Sequence, residues 1–361
     1  MNRIYNFNAG PAMLPLEVLQ EVQAELLDLQ GSGMSILEMS HRAPIYEKIN
    51  AEAEADIKEL LGLGDDYRVL FMGGGASLQF SMVPMNFLGA GQTAAYAVTS
   101  NFSDKAVQEA EKVGQVVVPF SSKAEKYDRV PQPGEIKLPE NCAYLHITAN
   151  NTIEGTEYSV YPETGDVPLI ADMSSDILSR PIPANKFSLI YAGVQKNIGP
   201  AGAVAIIGRK SFIEGRSKEL HSMLNYETHL KNDSLYNTPP SFAVYIVGKV
   251  AKWLKAQGGL VMMEQRNLAK AKIVYDVIDQ YPDFFRGFAK KDSRSLMNVT
   301  FGLPTEELEK RFAVEAEELG MGGLKGHRSV GGLRASIYNA MPLAGCEKLA
   351  EFMETFYKIH K

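Results

Sequence analysis

Seven short apolar segments, separated by stretches with helical periodicity, constrain the architecture of this chain more than any other feature. They are Val69–Met72, Thr93–Val98, Val116–Phe120, Ala143–Ile147, Val167–Ala171, Leu189–Tyr191 and Ala203–Ile207. Several are apolar on consecutive rather than alternate residues, the pattern of strands covered by helices on both faces. The alternation predicts an α/β chain built on a mostly parallel, seven-stranded sheet. Two amphipathic helices precede the sheet. One starts at Pro15, places Leu16, Leu19, Val22, Leu26 and Leu27 at helical spacing and ends near Gly31; the other runs from about Tyr46 to Leu61.

After the last strand segment the composition turns polar from Phe212 to Pro240, ending in the turn-rich string Tyr236-Asn237-Thr238-Pro239-Pro240. This reads as an excursion from the sheet, because two prolines continue neither a helix nor a central strand. A long helical region begins at Ser241, breaks at Gly258-Gly259 and resumes from Leu260 to Tyr281. Strands at Leu296–Phe301 and Leu333–Ile337, with helices at Glu306–Leu319 and Cys346–Ile359, complete a smaller α+β C-terminal domain. Residues 1–258 are thus expected to form an N-terminal segment and the large domain, and 259–361 the small one, as a 361-residue chain has room for two.

A net charge of −6 gives no overall attraction for nucleic acid or an anionic membrane, so any anion must be held by local clusters of Arg, Lys and His. Cys142 and Cys346 are the only cysteines and lie far apart, which excludes a disulfide framework or a zinc knuckle built on them. No stretch approaches the ~20 apolar residues that cross a bilayer. The expectation is a soluble, cytoplasmic protein with no metal site.

Three motifs carry chemistry. Between Arg68 and Gln79 a strand leads into Gly73-Gly74-Gly75-Ala76-Ser77 and then a helix beginning near Leu78, an arrangement whose free N–H groups and helix dipole favour a phosphate. Val167 to Ser175 is an apolar strand delivering Asp172 at its carboxyl end, where open α/β sheets bind ligands. Lys196 sits in a glycine-rich loop between two apolar strands, where an amine is desolvated and its pKa lowered. Taken singly these read equally as a glycine turn, a helix cap and a surface lysine. Together, in chain order, they match pyridoxal 5′-phosphate, which needs an anion cup, an acid for its ring nitrogen and a lysine for its aldehyde.

The wider set of motifs then resembles one family: Phe7-Asn8-Ala9-Gly10-Pro11-Ala12, Ser40-His41-Arg42, Gly74-Gly75-Ala76-Ser77, Ala171-Asp172-Met173-Ser174-Ser175, Gly193-Val194-Gln195-Lys196-Asn197-Gly199-Pro200 and Lys325-Gly326-His327-Arg328. Across essentially the whole chain these are similar to the phosphoserine aminotransferases, class-V enzymes of the fold-type I pyridoxal-phosphate-dependent transferases. The resemblance implies a cytoplasmic homodimer of serine biosynthesis that exchanges an amino group between glutamate and 3-phosphohydroxypyruvate, giving phosphoserine and 2-oxoglutarate. It also implies action on 3-hydroxy-2-oxo-4-phosphooxybutanoate in pyridoxine biosynthesis.

Carried over by position, the resemblance implies that Lys196 holds the cofactor and Asp172 pairs with its ring nitrogen. Ala76 and Ser77 hold its phosphate, with Gln195 nearby and Asn237-Thr238 arriving from the partner subunit. Phe102 stacks on the ring and Thr152 hydrogen-bonds its hydroxyl. Arg334 clamps the substrate α-carboxylate, while His41, Arg42, His327 and Arg328 surround the phosphate or the glutamate side chain. Phe102 stands where many relatives have Trp, and Ser77 where many have Arg, so one phosphate contact must come from elsewhere. Two other readings are open to such a fold. A cysteine desulfurase needs a nucleophilic cysteine on a mobile loop, which neither Cys142 nor Cys346 offers; a non-catalytic binding protein has no use for lysine, acid and phosphate cup together.

Overall fold

The segments that are apolar on consecutive residues become the central layer. In a computed structural model, which describes residues 3–215 and 219–361, the chain opens with helices α1 (Leu16–Glu25) and α2 (Pro44–Leu60). Then follow β1 (Tyr67–Met72), α3 (Gly75–Phe87), β2 (Thr93–Val98), α4 (Asn101–Ala110), β3 (Gln115–Ser121), β4 (Cys142–Thr148), β5 (Leu169–Asp172), β6 (Leu189–Gly193) and β7 (Val204–Arg209). These seven strands form one sheet in the order β1-β7-β6-β5-β4-β2-β3. The pairings from β6 through β3 are parallel, whereas β7 runs antiparallel to both its neighbours, β6 and β1.

Alternate strand residues feed two cores. Val69, Phe71, Leu145 and Ile147 pack against Ile57 of α2 and against Val244 and Val250 of α5 (Ser241–Ala256). Leu70, Tyr96, Tyr144 and Tyr191 face Phe80 and Val83 of α3 and Val107 of α4. Burial of this kind contributes about 1.5–3 kcal/mol per large apolar side chain. A third core joins α6 (Gly259–Gln280), β8 (Asn298–Gly302), α7 (Glu306–Glu318), β9 (Leu333–Ser336) and α8 (Leu343–His360), with Phe285, Phe301, Phe312 and Phe356 at its centre.

Several boundaries differ from the sequence expectation. The first helix ends at Glu25 rather than near Gly31, because the chain turns to bury Leu29 while Leu27 stays 85 % exposed. Helix α3 begins at Gly75, three residues early: Gly74 adopts φ 87°, which reverses the backbone at once and places Ala76 and Ser77 inside the first turn. The C-terminal sheet has a third strand, Arg286–Gly287, and Tyr5–Asn6 pairs in parallel with Met321–Gly322, so that Phe7 is buried in the third core.

The polar segment 212–240, of which 216–218 lie outside the described residues, covers the sheet more closely than an excursion does. Tyr226 and Leu230 of the short helix Tyr226–Lys231 are buried in the α3 core, and the Phe71 N–H at the free edge of β1 donates to Ser234 Oγ at 2.9 Å. The Val69 N–H likewise donates to Glu54 Oε1 at 3.0 Å. Side chains thus satisfy part of an edge that would otherwise offer unpaired backbone. No described helix is long and apolar enough to cross a membrane.

Candidate active site

Strands β5 and β6 end side by side, and their carboxyl ends carry Asp172 and the loop bearing Lys196. That loop is a closed hairpin into β7, with the Val194 N–H donating to Ala203 O at 3.2 Å. The Lys196 Nζ donates to Thr152 Oγ1 at 2.7 Å and lies 5.2 Å from the centroid of the Phe102 ring. Burial lowers the pKa of this amine; Asp172 opposes the shift and Arg334 reinforces it. An amine so placed reaches its nucleophilic free-base form at a lower pH than an ordinary lysine.

Asp172 is 6 % exposed, and its Oδ1 accepts both the Ser174 N–H at 2.9 Å and the Ser174 hydroxyl at 2.6 Å. Both bonds fall on one oxygen, so the other is not engaged by them. Burial raises the carboxyl pKa, while Lys196 and Ser174 draw it down. Ser174 Oγ also accepts the Gly193 N–H at 3.0 Å, which ties the acid to the strand leading into Lys196.

Phe102 stands in the first turn of α4, a helix fixed by a capping box between Ser100 and Ser103. Thr152 lies in the turn between the two-residue strands Asn150–Asn151 and Thr156–Glu157. Arg334, on β9, reaches the same turn, with Nη1 donating to Thr152 O at 3.3 Å and its enclosed Nε left without a partner. Burial lowers the guanidinium pKa, against the opposing charges of Tyr338 and Glu154. Just beyond β9 the Asn339 N–H donates to Asn197 Oδ1 at 2.9 Å, and the Asn267 amide of α6 donates to Asn339 Oδ1 at 2.9 Å. The strand bearing Arg334 is thereby pinned to the Lys196 loop.

At the start of α3, Ala76 and Ser77 contribute first-turn N–H groups with no side-chain cap, a ready anion cup. His327 and Arg328 line a cavity of about 1140 Å³ beside α7 together with Lys325, but neither Lys196 nor Asp172 borders it. The His327 Nδ1 pairs with Ser329 Oγ at 2.7 Å, and burial lowers its pKa, with Arg334, Arg328 and Lys105 adding to the effect.

Such an arrangement gathers a desolvated amine, the buried acid Asp172, a flat aromatic face and a guanidinium around the Thr152 turn and the carboxyl ends of β5 and β6. It suits a planar electrophilic ring whose nitrogen meets an acid and whose aldehyde meets an amine. Comparison with known proteins points the same way: the Aminotransferase class-V profile matches residues 4–349. The chain belongs to the class-V aminotransferase family.

The phosphoserine aminotransferase of Niallia circulans is 55 % identical over 354 residues, covering 98 % of each chain. The solved phosphoserine aminotransferase of Bacillus circulans subsp. alkalophilus superposes with a TM-score of 0.98 at 54 % identity, covering 99 % of each chain. A pyridoxal-phosphate-bound phosphoserine aminotransferase of Trichomonas vaginalis gives 0.92 at 38 % identity, covering 98 % of this chain and all of the other. The chain is thus a pyridoxal-phosphate-dependent aminotransferase with the fold-type I architecture. The Lys196 amine, the Phe102 face, the acid Asp172 and the open N–H groups at Ala76 fit that cofactor.

Within the aminotransferase, Lys196, Asp172, Thr152, Phe102 and Arg334 come together. Gln195 is beside them, its carbonyl accepting the Ala12 N–H at 3.0 Å. His41-Arg42 and Asn237-Thr238 are not joined to them by any hydrogen bond among the described residues. His41 lies in the turn before α2 with an enclosed Nε2 that has no partner, and Asn237 and Thr238 are exposed. Among the described residues no group of three or more His, Cys, Asp or Glu is placed to hold a metal ion.

Three contributors escaped the reading from sequence. A Cβ on Gly10 would stand 3.2 Å from Lys196 Cγ, so this glycine leaves room for the lysine stem. Ser174 braces the acid. Glu154, 3 % exposed, accepts from the Asn101 N–H at 2.9 Å and from its side-chain amide at 2.8 Å. Gly10 and Ser174 lie inside motifs named above and Glu154 two residues after Thr152, but nothing in the linear pattern distinguishes these roles from ordinary turn chemistry.

Proposed function

We propose that this enzyme is a phosphoserine aminotransferase, exchanging an amino group between glutamate and 3-phosphohydroxypyruvate to give phosphoserine and 2-oxoglutarate, in serine biosynthesis. The observation that carries this reading is full-length similarity, above half identity, to phosphoserine aminotransferases. The gathering of Lys196, Asp172 and Arg334 supports it. We extend the proposal to 3-hydroxy-2-oxo-4-phosphooxybutanoate in pyridoxine biosynthesis, to a cytoplasmic homodimer, and to two domains divided near Gly258.

When bound, pyridoxal phosphate supplies an electron sink that makes the substrate α-proton acidic. Lys196 would anchor the cofactor, and its Nζ, as the free amine, would take the proton from the substrate α-carbon and pass it to the cofactor, for which its lowered pKa equips it. Asp172, held in orientation by Ser174, would offer the ring nitrogen a negative charge. Arg334 grips the α-carboxylate in a bidentate fork. Ala76, Ser77, Gln195, Asn237 and Thr238 hold the cofactor phosphate, while His41, Arg42, His327 and Arg328 hold the substrate phosphate or the glutamate side chain. Phe102 and Thr152 fix the ring plane.

The test is spectroscopic. The visible band of the purified holoenzyme should bleach with glutamate and with phosphoserine, and return with 2-oxoglutarate. Serine should bleach it far less efficiently, by at least a hundredfold in kcat/KM, about 3 kcal/mol of charge-assisted phosphate contacts. Equal use of serine and phosphoserine would sink the assignment.

A further inference from the structure

Glu154 is a buried acid that the mechanism above does not use. It projects from the turn that also carries Thr152, the hydroxyl partner of Lys196. Its Oε1 is fully occupied, taking both the backbone N–H and the side-chain amide of Asn101, the first residue of α4 and the neighbour of Phe102. Its Oε2 is enclosed and has no hydrogen-bond partner. The Nε of Arg334 is in the same condition, enclosed and without a partner. Burial raises the Glu154 carboxyl pKa, the Asn101 bonds and the Arg334 charge draw it back down, and Glu154 in turn opposes the burial that lowers the Arg334 pKa. A carboxylate with an unused oxygen and a guanidinium with an unused donor are thus buried beside one turn without pairing: the Arg334 Nη1 rests on the Thr152 carbonyl two residues before Glu154, and Arg334 lies opposite Thr300, whose hydroxyl donates to Glu154 O at 2.8 Å.

We propose that Glu154 is a specificity-determining residue: its carboxylate is the standing counter-charge of Arg334, and it sets how tightly the site holds a substrate carboxylate. The inference rests on the assignment of Arg334 to the α-carboxylate. With no substrate present, Glu154 balances the guanidinium and keeps it oriented from the Thr152 turn. A bound carboxylate takes over that role, at the cost of sitting in the field of a second negative charge. The acid therefore weakens the binding of every carboxylate substrate and favours release of the oxo-acid product, while its Oε1 bonds hold the first turn of α4 beneath Phe102. It is a positioning group that never touches the reacting atoms.

The experiment compares holoenzyme with Glu154→Gln, which keeps an oxygen for Asn101 and removes the charge. The glutamate concentration giving half of the absorbance change, and the KM values for glutamate and phosphoserine, should all fall by about tenfold, the scale of one charge interaction in a partly screened site. kcat should change less, and Glu154→Asp should stay near the parent values. Unchanged or raised half-saturation in Glu154→Gln overturns the proposal, because a purely structural anchor survives that substitution. Should Glu154→Gln not fold, the pair Glu154→Asp and Glu154→Asn, which differ from each other only in charge, gives the same comparison, and equal half-saturation there overturns it. The glutamate half-reaction does not involve phosphoserine. A parent enzyme that bleaches with glutamate but ignores phosphoserine therefore overturns the proposed substrate and leaves this test standing.

Discussion

Lys196 and Asp172 illustrate how burial makes ordinary side chains reactive. Burial pushes both towards their neutral forms, and each pulls the other back towards charge. The ring nitrogen proposed to meet Asp172 would add a positive partner and hold the acid ionised. Asp172→Asn keeps the shape and the bonds to Ser174 but removes that charge. We expect the cofactor still to bind and kcat to fall by two to three orders of magnitude, about 3–4 kcal/mol of transition-state stabilisation. Unaltered kcat in a variant that retains its cofactor band would move the electron-sink role elsewhere. Both residues were legible in the chain, because an acid at a strand end and a lysine in a glycine-rich loop are local signals. Ser174 and Glu154 were not. A serine two residues from an aspartate, or a glutamate in a turn, declares its role only when the fold brings Gly193 or Asn101 against it.

At the scale of elements, the turn from Thr152 to Gly155 carries more than its length implies. It presents Thr152 to Lys196 and Glu154 to Asn101, then turns at Gly155 with φ 78°. A Cβ at Gly155 would stand 2.4 Å from Thr300 Oγ1 and 2.9 Å from Asn298 O, both on β8. Gly155→Ala should therefore cost at least about 2 kcal/mol, from left-handed strain and overpacking together. It should also raise KM for glutamate, since the turn bears on Arg334; chemical denaturation and steady-state kinetics on the one variant check both. The seven sheet strands were readable from apolar runs alone, to within two or three residues. The two-residue strands were not, because Tyr5–Asn6 and Arg286–Gly287 are too short to show a period. The first helix misled for a related reason: Leu26 and Leu27 keep helical spacing, but the tertiary demand to bury Leu29 ends the helix first.

At the scale of the whole molecule, α6 is held against the end of β9 by Lys270, a 2 % exposed lysine donating to Ile337 O at 2.9 Å and Tyr338 O at 2.7 Å. Burial lowers its pKa to about 7. An unfolded lysine keeps its proton to higher pH, so between pH 7 and 10 the unfolded state binds more protons and stability rises with pH. Comparison with Lys270→Met isolates the effect. The parent should gain up to about 4 kcal/mol over the variant between those values, and a constant difference in denaturant melts would refute it. Assembly is tested by mixing. If Asn237-Thr238 serve a neighbour's cofactor, co-refolding Lys196→Ala chains with chains disrupted at Asn237 and Thr238 leaves one intact site in each mixed dimer. Activity should then return to about a quarter of all sites at equal input, and none should return if each loop serves its own chain. The placement of β7 has a last consequence, for the chain as it is being made. Strand β1 is an edge whose one neighbour in the sheet is β7, roughly 130 residues further on, and its remaining N–H partners include Ser234, later still. At ribosomal speeds of roughly 5–20 residues per second, a segment as sticky as Val69-Leu70-Phe71-Met72 must wait on the order of ten seconds for its mate to be synthesised. The nascent protein is therefore most exposed to aggregation in that interval, when the strand leading to the phosphate cup already exists and the hairpin carrying the lysine does not.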